Sequence, residues 1–188
     1  MLTLIAKRVT EFLLPDSTDT QERSLCEYGC ELWIYTMIST AGLLLLGVLL
    51  NEFWGTIVMI VVFYLCQSYG GGFHASSHFR CFLTMSIAVM SGAFLLHCSF
   101  SLTAMFFILC SSIVYLLVIP LILHPNKYYL LSDQITLCKK SRAVTVAIAV
   151  VITSLGLLGF WHLFHAGCIS MLFSAVSRFS AWINYSKA

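Results

Sequence analysis

Long apolar runs separated by short polar connections dominate the pattern of this chain. The runs do not alternate between apolar and polar positions as the strands of a membrane barrel do. Most are long enough for a helix that crosses about 30 Å of hydrocarbon, which takes roughly 17–25 residues. Six runs share these properties: Leu32–Leu50, Phe53–Tyr69, Phe82–His97, Leu102–Leu123, Ala143–Phe164 and Cys168–Tyr185. The pattern predicts an all-α integral membrane protein with about six transmembrane helices.

The sixth run is the least regular of the six. It contains four serines and Arg178. A basic side chain at the centre of a span costs about 2.5–3.5 kcal/mol on insertion scales. Two interpretations therefore stay open: a transmembrane helix whose arginine extends to the interface, or a helix that lies in the interface.

The segment before the first run has a helical pattern of its own. Apolar positions recur at helical spacing between Ile5 and Leu13, which predicts an amphipathic helix that lies on the membrane. Pro15 ends that helix, and Asp19 followed by Glu22 resembles the capped start of a second helix that continues into the first span.

Composition supports a membrane protein with one domain. Of 188 residues, 60% are hydrophobic and 10% are charged, which excludes a soluble globule with a polar surface. The net charge of +2 is scattered, so nucleic acid is excluded as a partner and the lipid bilayer is expected. Without an internal repeat or linker, residues 1–188 are predicted to form a single polytopic domain. Residues 1–31 would be its cytoplasmic and interfacial part, and residues 32–185 its transmembrane bundle.

Basic residues occur in alternate connections between the runs. Short cytoplasmic connections are enriched in lysine and arginine, whereas the intervening connections here have none. The basic residues of the first, third and fifth polar segments are Lys7, Arg8, Arg23, Arg80, Lys127, Lys139, Lys140 and Arg142. With six spans, this arrangement places both termini and the connection between the second and third runs in the cytoplasm.

That connection, "YGGGFHASSHFRC" from Tyr69 to Cys81, contains the side chains that are the strongest candidates for catalysis. Its three glycines disfavour a continuous helix and permit a backbone turn. Ser76 or Ser77 can cap the next helix, which places Cys81 in its first turn or just after. The positive end of that helix and the neighbouring Arg80 both favour thiolate over thiol. The sequence therefore predicts a reactive cysteine.

Two histidines are candidate partners of this cysteine. His74 precedes Cys81 by seven residues, a rise of about 10 Å in a straight helix, so the glycine turn must fold back to bring the two together. His78, three residues before Cys81, is already a neighbour on the helix. Geometry alone does not choose between them, and the residues also fit a structural turn with an inert cysteine.

A metal site is not indicated by the histidines and cysteines. His74 and His78 form H-x-x-x-H, but position 75 is alanine and the glutamate of the H-E-x-x-H zinc protease motif is missing. Two further pairs, each about one helical turn apart, lack additional ligands and are interpreted as packing or interface polarity: Cys26 with Cys30, and His162 with His165. No metal or other cofactor is predicted.

Three motifs together resemble one family. They are "GGGFHASSHFRC" with Cys81 seven residues after His74, "HPNK" at the start of a basic loop, and "CKKSR" at its end. With the amphipathic N-terminus, they resemble the AgrB (accessory gene regulator B) family of membrane endopeptidases in quorum sensing and virulence regulation. The resemblance covers most of the chain. It implies a bacterial cell membrane location, an AgrD-like precursor peptide as substrate and a homodimer.

The resemblance also implies roles for residues. Cys81 would be the nucleophile and His74 its catalytic partner, forming a thioester acyl-enzyme that an internal nucleophile of the peptide resolves to a thiolactone or lactone. Family members often have arginines just before the glycines, where this chain has Gln67 and Ser68. The oxyanion donors stay open between the glycine turn, the helix start and these two side chains. The supporting candidates are Gln67, Ser68, Gly71, Gly72, Ser77, His78 and Arg80.

A second function class fits the same sequence. A small non-enzymatic transporter or structural membrane protein would use the glycines as a hinge. Transporters of polar solutes usually place ionisable residues within the bundle. Apart from Arg178 and terminal histidines these runs have almost none, which favours the peptidase.

Overall fold

The structure is a computed structural model, and it describes residues 2–13, 20–72, 78–98, 100–119, 121–122 and 131–185. Within these ranges the regular structure is entirely α-helical. The seven helices are α1 (Leu2–Leu13), α2 (Thr20–Leu49), α3 (Phe53–Gly70), α4 (His78–His97), α5 (Leu102–Val118), α6 (Leu131–Leu157) and α7 (Trp161–Tyr185). The predicted all-α class is confirmed.

Within the described part of the chain, four helical segments are long and apolar enough to cross a membrane, judged by length and composition. They are Gln21–Leu49, Phe53–Gly70, Phe79–His97 and Trp161–Asn184, while Leu102–Val118 is a shorter apolar helix. An integral membrane protein fits these segments, but the predicted number of about six spans is not confirmed.

The chain divides into two compact units, Met1–Leu45 and Leu46–Ala188. The first unit contains α1 and most of α2. Helix α1 occupies the predicted amphipathic segment, and α2 begins at Thr20 and runs without a break to Leu49. The second N-terminal helix therefore continues into the first apolar run, as predicted.

Helix α7 is the centre of the second unit. Helices α3, α4, α5 and α6 all pack against it, and its side chains Phe164, Ile169 and Met171 are at most 1% exposed. The sixth run is therefore a core helix, and its interpretation as an interfacial helix is wrong. Its serines explain the irregular pattern: Ser170 Oγ, for example, donates to Met59 O of α3 at 2.9 Å. Small and hydrogen-bonding residues are typical of close helix contacts in membranes.

The boundary between the fifth and sixth runs is wrong. The predicted connection at His165–Gly167 is helical, and the chain instead turns between Leu157 and Trp161. Gly159 has a φ of 86°, Phe160 N donates to Leu155 O at 2.9 Å, and Gly159 N donates to Gly156 O at 3.1 Å. These bonds form the glycine-terminated helix end known as the Schellman motif. Hydropathy missed it because the apolar residues continue through the turn.

Two other boundaries differ from the predicted runs. Helix α4 begins at His78, before the apolar run that was predicted from Phe82, because a charged residue such as Arg80 interrupts hydropathy without breaking a helix. Helix α5 ends at Val118 instead of Leu123. Pro120 follows closely, and the residue before a proline is disfavoured in the helical region.

Gly159→Ala should lower the free energy of unfolding by about 1–2 kcal/mol, the cost of the left-handed region for a residue with a Cβ. A Cβ at this position would meet no atom within 4 Å, so the backbone conformation alone sets the change. Denaturant titration of the purified protein in detergent measures it. Gly29→Ala is the matched control, because its Cβ also has open space but its backbone is helical, and it should raise stability slightly. Equal losses in both variants would contradict this account of the turn.

Candidate active site

The glycine turn at the end of α3 leaves no room for side chains. Gly70 is the last residue of α3, and a Cβ there would overlap the guanidinium of Arg178. Gly71 has a φ of 67°, and its Cβ would overlap Ile122 O. A Cβ on Gly72 would overlap the side-chain amide of Gln67. Gly71 is therefore required both by its left-handed conformation and by the backbone carbonyl of Ile122, whereas the neighbours of Gly70 and Gly72 are the ends of side chains.

Arg178 is buried against the carboxyl ends of two helices. Its side chain is 1% exposed. Its Nη1 donates to Ile119 O at 2.8 Å and Leu116 O at 3.2 Å at the end of α5. Its Nη2 donates to Cys66 O in the last turn of α3 at 3.2 Å. These carbonyls hold the guanidinium inside the second unit, and its extension to the membrane interface stays a prediction.

The carbonyl ends of helices suit a buried guanidinium. The last four carbonyls of a helix lack partners within it, and the helix dipole gives this end a partial negative charge. In the part of the chain that the structure describes, the ion pairs do not include Arg178. Its charge therefore lies against backbone carbonyls instead of a carboxylate. A backbone bond from Ile122 N to Gly70 O at 3.0 Å adds a second link between the α5 and α3 ends.

Gln67 and Gly71, two predicted supporting residues, take part in the turn itself. The side-chain amide nitrogen of Gln67 donates to Ser177 Oγ on α7, and its backbone carbonyl accepts from Gly71 N at 2.9 Å. The buried Gln67 Oε1 has no hydrogen-bond partner. Ser68 is exposed. In this structure the first two residues hold the helix end, and a role for any of them as oxyanion donor stays a prediction.

Cys81 lies where the sequence places it, just after the first turn of a helix. It is the fourth residue of α4, and its side chain is exposed. Cys110 is also exposed but lies in the middle of the apolar helix α5, whereas Cys66 and Cys168 are buried. All eight cysteines are free thiols. Cys81 therefore combines exposure with proximity to a helix N-terminus.

One carboxylate and two imidazoles form a cluster at the end of the second unit opposite to the glycine turn. Glu52, 4% exposed, lies just before α3, with Oε2 2.6 Å from His162 Nε2 at the start of α7 and Oε1 3.6 Å from His97 Nε2 at the end of α4. At about 1.5 Å per residue, the helical rise is about 24 Å from Cys81 to His97 and about 27 Å from Glu52 to Gly70. Cys81 and the glycine turn therefore lie at the same end.

The remaining predicted residues fall in or beside the segment between α3 and α4. His74, Ser76 and Ser77 lie outside the described residues. His78 begins α4, and Arg80 is exposed on it. The choice between His74 and His78 therefore stays a prediction. Among the side chains that the structure describes, no group of three or more His, Cys, Asp or Glu residues could hold a metal ion.

A comparison with protein families identifies the family of this chain. The model of AgrB, accessory gene regulator B, matches residues 6–178. The chain belongs to the AgrB family. Among curated proteins and among solved structures, the comparisons found no match. AgrB membership gives the protein a role in the peptide processing of agr quorum sensing, with a peptide precursor as substrate and a membrane as its context.

Sequence analysis missed two sets of polar contacts in this AgrB protein. Arg178 drew attention only as an unfavourable charge in an apolar run, and Ser177 beside it was counted among irregular serines. Neither signal identifies the partners, which lie on other helices. His162 was interpreted only together with His165, and Glu52 and His97 were given no role. The useful signal would have been that polar residues occur at the ends of several runs and could meet.

Proposed function

We propose that this AgrB-family protein is a membrane-embedded cysteine endopeptidase that cleaves an AgrD-like precursor peptide. Cys81 is the nucleophile and His74 is the general acid and base. One observation carries the proposal: the exposed thiol of Cys81 lies just after the start of α4, at the end of the second unit that also holds the glycine turn. His74 follows Gly72 by two residues in the sequence.

The first half of the reaction breaks the peptide bond. The Cys81 thiolate attacks the carbonyl carbon that joins the signal core to the C-terminal tail. The tetrahedral intermediate then collapses, and the tail leaves as an amine that takes a proton from the His74 imidazolium. The product is a thioester between the signal core and Cys81.

The second half closes a ring. A cysteine thiol or serine hydroxyl within the bound peptide attacks the thioester carbonyl and transfers its proton to neutral His74. The Cys81 thiolate leaves, and the peptide departs as a thiolactone or a lactone. The imidazolium formed here is ready to protonate the next tail. Water must be excluded, because hydrolysis of the thioester would give a linear acid.

The membrane arrangement supports a cytoplasmic substrate. We place the protein in the bacterial cell membrane as a multi-pass homodimer with both termini and the glycine turn in the cytoplasm, following the distribution of basic residues. The alternative function, a small transporter or structural protein, gains no support from the described spans. Arg178 contacts helix-terminal carbonyls in the core, and it is 1% exposed.

Cys81→Ala should abolish cleavage of a co-expressed precursor while the protein still inserts and accumulates, because alanine has no nucleophile. Mass spectrometry of the released tail measures cleavage. Cys110→Ala is the matched control, since it removes the other exposed thiol from the middle of α5 and should leave cleavage unchanged. Tail release that persists in Cys81→Ala would disprove the nucleophile assignment.

His74→Ala should reduce the cleavage rate by a factor on the order of 10² or more, the usual scale of general acid–base catalysis. His78→Ala should reduce it far less, because an imidazole fixed on the helix cannot settle between the sulfur and the leaving nitrogen as a loop residue can. Single-turnover rates at matched abundance of the two variants measure the difference. A loss confined to His78→Ala would assign the acid–base role to His78 instead.

A further inference from the structure

We propose that Glu52, His97 and His162 form a pH-dependent clamp at the end of the second unit opposite to the glycine turn. His162 is bound to the carboxylate whether or not its imidazole is protonated, whereas His97 is attracted to it only when protonated. Acid conditions therefore fasten the carboxyl end of α4 to the start of α3. This clamp is separate from the proposed catalytic pair, and its action does not depend on which residue is the nucleophile.

The carboxylate of Glu52 is buried where three helices meet. It directly precedes α3 and is 4% exposed. Its Oε2 lies 2.6 Å from Nε2 of His162 on α7, and its Oε1 lies 3.6 Å from Nε2 of His97 on α4. A Cβ on Gly55 of α3 would contact Leu96 of α4 and Glu52 Oε2, so the glycine permits this close packing. Each oxygen of one carboxylate thus faces the imidazole of a different helix.

The two distances give the two imidazoles a different dependence on pH. At 2.6 Å, His162 Nε2 can donate to Glu52 Oε2 either as a neutral tautomer or as an imidazolium. At 3.6 Å, His97 Nε2 is beyond hydrogen-bond distance, so a neutral imidazole gains little there. An imidazolium at the same distance is attracted by the charge of the carboxylate. His97 is therefore the pH-dependent part of the clamp.

Two further titratable side chains occur near this end, on α4 and α7. Cys98 follows α4, and its Sγ lies 3.5 Å from Phe94 O of that helix. His165 lies near enough to His162 for the two imidazoles to repel each other when both are charged. Helices α2, α5 and α6 have no titratable side chain within two turns of the ends that lie here. Because the imidazoles together outnumber the one carboxylate, the attraction that His97 adds is modest.

Helix α4 is the membrane-length helix of the second unit that depends least on apolar packing. In its segment Phe79–His97, 17% of the residues are buried, against 33% for Phe53–Gly70 and 56% for Trp161–Asn184. A modest attraction at one end therefore changes the docking of α4 by a larger share than it would for α3 or α7. The same helix carries Cys81 near its start. In the proposed membrane arrangement the clamp lies on the outer side, where the cytoplasm does not buffer the pH.

Hydrogen exchange at the carboxyl end of α4 tests the clamp in the full chain, purified in detergent. Mass spectrometry gives protection factors, which already correct for the pH dependence of exchange itself. Wild type, His97→Gln and His165→Gln are compared at pH 5.5 and pH 8, a range in which imidazoles change charge and carboxylates generally do not. His165→Gln is the matched control, because it removes an imidazole from this end that is not an ion-pair partner of Glu52.

In wild type, protection of residues 90–97 should be about 2- to 5-fold higher at pH 5.5 than at pH 8, the scale of an ion pair with an exposed partner. The sign follows from the charge of His97, whose attraction to Glu52 is present in acid and is lost as the pH rises. His97→Gln should remove the difference and keep the wild-type protection at pH 8. His165→Gln should keep the difference. His162→Gln should lower protection at pH 8, because it removes a hydrogen bond that a neutral imidazole makes.

Three results would overturn the proposal. Equal protection of wild-type α4 at the two pH values would show that protonation does not fasten its end. A pH difference that persists in His97→Gln would assign its origin to another group, and this variant is decisive because the side chain of His97 is 62% exposed and can be replaced without disturbing the core. The same difference in Glu52→Gln, which keeps the shape of the side chain and removes its charge, would exclude the carboxylate.

Discussion

The guanidinium of Arg178, bound to carbonyls of two helices, is the interaction on which the glycine-turn end of the second unit depends. Helices α3 and α5 have 18 and 17 residues. At about 1.5 Å per residue they are about 27 and 26 Å long, shorter than about 30 Å of hydrocarbon. Carbonyls left open at membrane depth cost several kcal/mol each, and irregular backbone is tolerated there only inside protein. Arg178 satisfies carbonyls at the end of α5, and it also donates to Cys66 O of α3.

Charge at both ends of the second unit follows the direction of the helices. Arg178 lies at the carboxyl ends of α3 and α5, where the dipole is negative. Glu52 lies at the amino end of α3, and His97 at the carboxyl end of α4. The guanidinium of Arg178 and the carboxylate of Glu52 therefore each match the dipole of the helix end beside them.

Much of the fold could be predicted from the sequence because it is encoded locally. The amphipathic pattern of α1, the bounds of α3 and the start of α4 near Cys81 all follow from residues within a few positions. The α6–α7 connection could not be predicted from hydropathy, since its residues are as apolar as the helices beside it. Only the positive φ of Gly159 and its two backbone bonds mark the end of α6.

The candidate site also has a part that could be predicted from local sequence and a part that could not. Cys81 was identifiable as a candidate because the glycines, serines and arginine that precede it are close together in the sequence. The contribution of Arg178 was not, because its carbonyl partners are separated from it by 59 to 112 residues. The pair of Gln67 and Ser177 is separated by 110 residues, and that of Glu52 and His162 by the same number. The pattern of apolar residues along the sequence does not predict polar contacts between residues so far apart.

The most direct test of the central claim is to trap the thioester on Cys81. A synthetic precursor whose ring-closing cysteine or serine is replaced by alanine allows the first half of the reaction and blocks the second. After a single turnover and an acid quench, mass spectrometry should find the signal core attached to the peptide that contains Cys81, and hydroxylamine should remove it. Release of the tail with the adduct on another residue, or with no hydroxylamine-labile adduct, would contradict the assignment of Cys81 as the nucleophile.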